Sequence, residues 1–183
     1  MIKKIALTLA SIFLMVQSYN LLRQIDNLDT NSDLLILFIA WIINLFITGI
    51  FAFAGFAYPT QALMPNSYYH IYNPERLEKV YQSLKVEWFR KFLLATLWKS
   101  KSQRKKYFNG KKKGIENLIL QSKKSEFGHL IPFIIINIVV VYLVLIAMYE
   151  LAFFAFIINI IGNLYPIILQ RHHRMRISRL RRR

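Results

Sequence analysis

Residues 130–169 read LIPFIIINIVVVYLVLIAMYELAFFAFIINIIGNLYPIIL, and this stretch decides the fold of the chain. Its one charged side chain is Glu150. As a single helix it would extend about 60 Å, roughly twice the hydrocarbon thickness of a bilayer. The stretch must therefore fold back, and Tyr149-Glu150 near its middle predicts a tight hairpin between spanning helices at 130–148 and 151–170. The alternative is that Glu150 stays buried in the membrane as a functional acid.

Two further apolar runs precede this stretch. Residues 34–58 carry no charge and have only Asn44 and Thr48 as polar interruptions, which predicts a spanning helix. Residues 4–22 predict another. A short apolar run behind positive charges also describes a cleaved signal peptide, but residues 17–20 (QSYN) lack the small-x-small cleavage pattern. We therefore expect an uncleaved first helix, and four spanning helices in all.

The charges of the chain are unevenly distributed. There are 25 Lys and Arg against 9 Asp and Glu, a formal net charge of +16. The basic residues concentrate at the N-terminus, in the loop 59–129 and in the tail 171–183, whereas the connectors after the first and third helices are acidic. By the positive-inside rule the basic segments and both termini are cytoplasmic. We predict an all-α, multi-pass protein of the cell (inner or plasma) membrane, with residues 1–183 as one membrane domain whose basic parts contact membrane lipids.

The loop 59–129 is expected to be partly helical. From Pro74 onward, apolar residues recur at three- and four-residue intervals, namely Leu77, Val80, Tyr81, Leu84, Trp88, Phe92 and Ala95. Such a stripe with basic flanks is typical of a helix in the membrane interface, although a packed helix of a soluble subdomain has the same pattern. Residues 99–113 predict a basic turn, for which lipid is a better polyanion than nucleic acid beside spanning helices. A short helix is expected at 114–124.

Two polar side chains stand where this loop meets the apolar run. Glu126 and His129 are three residues apart, so on a helix they share a face at the membrane boundary, a plausible place for acid-base chemistry. The alternative is an ordinary charged helix cap with His129 as an interfacial anchor. Pro132 is expected in the first turn of the following helix, where its missing N–H is harmless.

The last helix carries a polar stripe. Asn159, Asn163, Gln170 and Arg174 are spaced by four, seven and four residues, which places them on one face. Pro166 lies on the same face and is expected to loosen the backbone hydrogen bonds nearby. Amides are costly against lipid, so the stripe is expected to face the bundle interior or a polar cleft. Helix-helix hydrogen bonding between amides is the structural alternative.

Most familiar catalytic signatures are absent from the sequence. With no cysteine, thiol nucleophiles and thiolate metal sites are excluded. There is no His-x-x-x-x-Asp box at His129, no Gly-x-Ser-x-Gly elbow, no phosphate loop and no His-Glu-x-x-His. His172-His173 lies in an arginine-rich tail without nearby carboxylates, so we predict no metal site.

Three groups of residues together carry a family resemblance. They are Tyr81-x-x-Leu84-x-Val86-x-Trp88, Lys123-Lys124-Ser125-Glu126-x-x-His129, and Asn163-x-x-Pro166-x-x-x-Gln170-Arg171-x-x-Arg174. This combination, over roughly residues 75–178, resembles the small integral-membrane glycosyl-4,4'-diaponeurosporenoate acyltransferases. That family carries out the last, fatty-acylation step on a glycosylated carotenoid in staphyloxanthin-type carotenoid biosynthesis.

The resemblance implies roles for individual residues. His129 would be the general base that deprotonates a sugar hydroxyl, with Glu126 holding its tautomer. Asn163 and Gln170 would donate to the tetrahedral oxyanion. Arg171 and Arg174 would bind the phosphates of an acyl carrier, and Trp88 would also contact substrate. The co-substrate would be an acyl donor such as acyl-CoA, the acceptor would be lipid-like, and no cofactor would be bound.

A second class of function is compatible with the same residues. A non-enzymatic membrane protein would use the basic loop and tail to recruit anionic lipid or a partner. It predicts that neutralising the basic residues of 171–183 impairs the function, whereas substitution of His129 does not.

Overall fold

The computed structural model describes residues 1–28, 32–96 and 112–181, and within these ranges the chain is helical without strands. The expected all-α class is therefore confirmed. In chain order the helices are α1 (Ile2–Arg23), α2 (Asp33–Ala57), α3 (Pro74–Ser83), α4 (Val86–Ala95), α5 (Lys112–Leu145), α6 (Tyr149–Asn159) and α7 (Tyr165–Arg181), with a π-helical turn (Ile160–Leu164) between the last two. Of the basic turn predicted at 99–113, residues 99–111 lie outside the described residues.

Four helical stretches are long and apolar enough to cross a membrane, judged by length and composition. They are Ile2–Arg23, Asp33–Ala57, Gly114–Leu145 and Tyr149–Arg179. The first two agree closely with the ranges predicted from hydropathy. The last two are longer than predicted, because helical structure continues beyond the apolar run into polar sequence at both of its ends.

The third spanning helix begins earlier than the hydropathy suggests. Helix α5 is continuous, so the short helix expected at 114–124 is its first part, and the expected position of Pro132 in a first turn is wrong. Pro132 is buried in the helix interior, where it cannot donate to the carbonyl of Gly128 four residues earlier. Spanning helices accept such prolines because neighbouring groups compensate for the lost hydrogen bond.

The hairpin between α5 and α6 lies just before the predicted position. Ala147 has a positive φ of 61°, its N–H donates to the carbonyl of Val144, and the Met148 N–H donates to the carbonyl of Leu143. These bonds form a Schellman motif, which ends α5. Glu150 is exposed in the first turn of α6, where a carboxylate is favourable against the helix dipole. Glu150 is therefore not buried within the protein.

The helices form two compact units. The first comprises Met1–Thr60 and Gly128–Leu164, and the second comprises Gln61–Phe127 and Tyr165–Arg183.

The first unit has an apolar core between α2, α6 and the later part of α5. Its buried members include Ile39, Ile43, Ile136, Leu143, Leu151 and Ala155. Helix α1 approaches α2 closely at Gly49, where an added Cβ would lie 2.5 Å from Leu14 Cδ1. Large apolar side chains such as Phe13 and Ile138 remain 59% and 64% exposed, as expected of a surface that faces lipid.

The second unit packs α3 and α4 against α7. Asn73 caps α3 by accepting a hydrogen bond from the Arg76 N–H at 2.8 Å. The predicted amphipathic stripe is divided between two helices, because Lys85 has a left-handed φ of 50° at the junction. Tyr81 stacks on His172 with ring centroids 3.7 Å apart, which anchors α3 on α7.

Candidate functional site

A cluster of polar side chains lies inside the apolar first unit. Asn159 and Asn163 are almost completely buried, with relative exposures of 0% and 1%. The Nδ2 group of Asn163 donates to Asn159 Oδ1 at 3.0 Å, and Asn159 Nδ2 donates to the carbonyl of Phe133 at 3.1 Å. The expectation that these amides face the bundle interior is therefore confirmed for both asparagines.

The backbone around this cluster departs from a regular α-helix. Residues Ile160–Leu164, which include Asn163, form a single π-helical turn two residues before Pro166. Proline lacks the N–H that would close the preceding α-helical turn, and the helix widens there. The expected loosening near Pro166 is thus present, and π-turns of this kind occur frequently at functional sites.

His129 belongs to this cluster. Its Nδ1 lies 3.0 Å from Asn163 Oδ1, and the imidazole is half-buried. Asn163 also reaches α2, since its Nδ2 donates to Thr48 Oγ1 at 3.1 Å. Sequence reasoning noted Thr48 only as a polar interruption of a spanning helix. That interruption is the signal that a partner for the asparagines is present on α2.

Glu126 lies in the second unit and has no exposed surface. One carboxylate oxygen accepts from Arg171 Nε at 2.7 Å, and the other accepts from Arg174 Nη2. A buried carboxylate requires such charged partners, because desolvation of an unpaired charge is costly. One glutamate against two arginines leaves the group with a net positive charge.

Ser122 connects this ion cluster to the backbone of α7. It accepts from Arg174 Nη1 at 2.9 Å and donates to the carbonyl of Gln170 at 3.0 Å. Sequence analysis did not single out Ser122, although it lies one helical turn before Glu126 on α5. Gln170, predicted as an oxyanion donor, contributes its backbone carbonyl here.

Two tyrosines cover the arginines. The guanidinium of Arg171 lies 4.8 Å from the Tyr68 ring centroid, and that of Arg174 lies 5.6 Å from the Tyr69 ring centroid. Burial, with the nearby Glu126 carboxylate, raises the pKa of Tyr69 to about 12. The tyrosine therefore stays neutral at physiological pH. Neither tyrosine was among the predicted site residues.

Arg171 and Arg174 differ in accessibility. The side chain of Arg171 is 30% exposed, whereas that of Arg174 is 6% exposed. Arg174 Nε is buried and has no hydrogen-bond partner among the described residues. Arg171 can therefore contact a ligand from outside, while Arg174 serves chiefly to hold Glu126.

Trp88, the remaining predicted substrate-binding residue, lies on the outer surface of α4. It is 72% exposed, and Lys91 Nζ lies 5.6 Å from its ring centroid. Beside it, hydrogen bonds from Arg90 and from the Tyr81 hydroxyl lower the pKa of Glu87 to about 2. Glu87 is therefore ionised at neutral pH and keeps Arg90 on the helix surface.

The predicted site residues thus fall into two groups with different partners. His129 is paired with Asn163 in the first unit, and Glu126 is paired with Arg171 and Arg174 in the second unit. Within the described ranges, no group of three or more His, Cys, Asp or Glu side chains could hold a metal ion.

Comparison with known proteins identifies the family of this chain. The family model CrtO, glycosyl-4,4'-diaponeurosporenoate acyltransferase, matches residues 65–183, which is more than half of the chain. The chain belongs to this family. The matched part contains His129 and Asn163 of the first cluster and the whole of the ion cluster, whereas Thr48 precedes it. No curated protein and no solved structure matches the chain.

Proposed function

We propose that this CrtO-family chain is an integral-membrane acyltransferase that moves a fatty acyl group to a hydroxyl of a glycosylated carotenoid or similar glycolipid. The observation that carries the proposal is the His129 imidazole, held by a buried asparagine inside an apolar helical unit. An imidazole with an orienting hydrogen bond is suited to general base catalysis of an attacking hydroxyl.

The reaction assigned to His129 is a direct transfer. The imidazole accepts the proton of the acceptor hydroxyl while the hydroxyl oxygen bonds to the carbonyl carbon of the acyl thioester. The tetrahedral intermediate then collapses, the carbon-sulfur bond breaks, and the imidazolium returns the proton to the leaving thiolate. The products are an ester and a free thiol, so no cofactor is consumed and none is expected to be bound.

Asn163 takes a different role in this proposal from the one the resemblance implies. Its Nδ2 group already donates to Asn159 and Thr48, so it has no N–H to give to an oxyanion. Its oxygen faces His129 instead. We assign Asn163 to the orientation of His129, a task that the resemblance gave to Glu126.

The second unit supplies anion binding. Arg171 keeps part of its guanidinium accessible while its Nε is held by Glu126. A guanidinium oriented in this way suits the phosphates of an acyl donor such as acyl-CoA. Arg174 and Glu126 act as positioning residues for it, and the exposed ring of Trp88 is assigned to the membrane interface or the lipid-like acceptor.

The proposed location follows from the charge distribution. Basic residues at the N-terminus, in the loop 59–129 and in the tail 171–183 support a cytoplasmic location of these segments and of both termini. Acyl-CoA is available on that side. The same segments are proposed to contact anionic membrane lipids, and no nucleic acid is required.

The test compares two histidine substitutions in membranes or nanodiscs given labelled acyl-CoA and a glycosylated carotenoid. His129→Gln is expected to reduce transfer by about 10²-fold or more, because a positioned general base contributes that much. His70→Gln is the matched control, since His70 is exposed and is assigned no role. Full transfer by His129→Gln would remove this mechanism. Loss of transfer in both variants would show a general loss of folded protein.

A further inference from the structure

The orientation of one buried amide decides which nitrogen of His129 is protonated. A neutral imidazole has one N–H and one lone pair, and the group that faces Nδ1 selects between its two tautomers. Here that group is the amide of Asn163, at 3.0 Å. An asparagine amide fills nearly the same space after a 180° rotation, so shape alone does not choose whether its oxygen or its nitrogen faces His129.

The orientation of the Asn163 amide is set by a chain of hydrogen bonds that ends at the backbone carbonyl of Phe133. The carbonyl oxygen of Phe133 accepts from Asn137 Nδ2 at 2.7 Å and from Asn159 Nδ2 at 3.1 Å. A carbonyl oxygen can only accept. The nitrogen of Asn159 must therefore face Phe133, and its oxygen must face Asn163.

The same donor-acceptor constraint applies between Asn159, Asn163 and His129. Asn159 Oδ1 needs a donor, and Asn163 Nδ2 supplies it at 3.0 Å. The oxygen of Asn163 is then the atom that faces His129. We infer that Asn159 is a positioning residue that, through Asn163, holds His129 with its proton on Nδ1 and its lone pair on Nε2.

The Thr48 hydroxyl does not oppose this orientation of the Asn163 amide. Its hydroxyl lies 3.1 Å from Asn163 Nδ2 and 3.3 Å from Asn163 Oδ1. A hydroxyl both donates and accepts, and it rotates to suit its neighbour. It therefore tolerates either orientation of the amide, whereas Asn159 tolerates only one.

Burial raises the free-energy cost of the rotated orientation of the Asn163 amide. Asn159 and Asn163 are 0% and 1% exposed, so bulk water does not replace a lost partner. In the rotated orientation two amide oxygens would face each other without a hydrogen between them, and each would remain an unsatisfied buried acceptor. Rotation of Asn163 alone is thus disfavoured as long as Asn159 is present.

The catalytic consequence of this inference rests on the proposed function, in which Nε2 accepts the hydroxyl proton. The tautomer itself is measurable without any reaction. Nitrogen NMR of protein labelled with ¹⁵N-histidine separates the two nitrogens of His129, and His129→Gln identifies its signals among the four histidines of the chain.

The experiment compares three proteins in the same nanodiscs. The wild type is expected to show His129 with the proton on Nδ1. Asn159→Leu, which removes the selecting oxygen, is expected to lose the single-tautomer signature and to populate both forms. Asn44→Leu is the matched control, because Asn44 is a buried amide of the same unit that donates to the carbonyls of Ala40 and Ala155. It is expected to keep the wild-type signature.

Two results would overturn the inference. One is a wild-type His129 protonated on Nε2, which requires no variant to fold. The other is a folded Asn159→Leu protein with an unchanged tautomer. Activity is a separate readout: Asn159→Leu should reduce kcat by about two-fold for an even mixture of tautomers, and by up to about 10²-fold if the base is also displaced. If the tautomers behave as expected while His129→Gln retains transfer, the proposed function fails and the positioning role stands.

Discussion

At the scale of single residues, the most constrained side chain is Glu126. It has no exposed surface and is shared by two guanidiniums, so its charge is balanced entirely by protein groups. Removing one partner of a buried ion pair is costly, because the remaining charge keeps its desolvation penalty without compensation. Here, loss of Glu126 leaves Arg171 and Arg174 close together without a counter-charge.

Glu126→Gln is therefore expected to destabilise the protein by about 3 kcal/mol or more. The measurement is a thermal melt in detergent, where the variant should lose several degrees. Glu116→Gln is the control, since Glu116 is an exposed glutamate on the same helix α5. Equal melting temperatures for the two variants would show that the buried carboxylate contributes nothing to stability. Adding Arg174→Met to Glu126→Gln is expected to recover part of the loss.

At the scale of secondary structure, the spanning helices depart from regular α-helical geometry at two positions. The π-turn at Ile160–Leu164 places Asn163 between Thr48 and His129, and the Schellman motif at Ala147 reverses the chain. The π-turn occurs where Pro166 cannot complete the α-helical hydrogen bonding, whereas residues 145–150 contain no proline or glycine that would end a helix. The second is more easily tested, because Ala147 is exposed and no described side-chain contact depends on it.

Ala147→Gly is expected to stabilise the hairpin by about 1 kcal/mol, because only glycine adopts a positive φ without a steric penalty. The reverse should hold for Ala152→Gly, since Ala152 is buried in helix α6, where glycine loses entropy and packing. Opposite shifts in melting temperature check both statements. A loss of stability in Ala147→Gly would contradict the left-handed conformation of Ala147.

At the scale of the whole molecule, charge and hydropathy define how the chain meets a bilayer. Four apolar helical stretches alternate with connectors of unequal charge, and the net charge is +16. In the proposed topology the four stretches cross the membrane and both termini lie on one side. The excess of Lys and Arg at the N-terminus, in the loop 59–129 and in the tail is the basis for proposing that this side is the cytoplasm.

The orientation can be tested by single-cysteine labelling, which has no background because the natural chain has no cysteine. Asn27→Cys and Glu150→Cys are expected to react with a membrane-impermeant maleimide in intact cells. Ser178→Cys is expected to react only after lysis. All three positions are exposed, so burial does not limit the reaction. Labelling of Ser178→Cys in intact cells would reverse the topology and move the proposed reaction to the other side of the membrane.

The residues alone were sufficient to predict the helical class, the four spanning helices and a polar face on the last of them. Each depends on local composition: an apolar run of spanning length has few alternatives to a helix in lipid, and amides at helical spacing share a face. Partners for Glu126, His129 and Asn163 were also expected, because polar groups beside or inside apolar runs are costly without them.

Tertiary structure decided which partners those residues have. Glu126 and His129 share one helix at a spacing that suggests a pair, yet the carboxylate accepts from Arg171 and Arg174 while the imidazole meets Asn163. Hydropathy also misplaced Pro132, which lies within a continuous helix. Sequence spacing determines which side chains share a face of one helix. Contacts between helices depend on how those faces pack, and there Thr48 on α2 and Asn159 on α6 complete the His129 cluster.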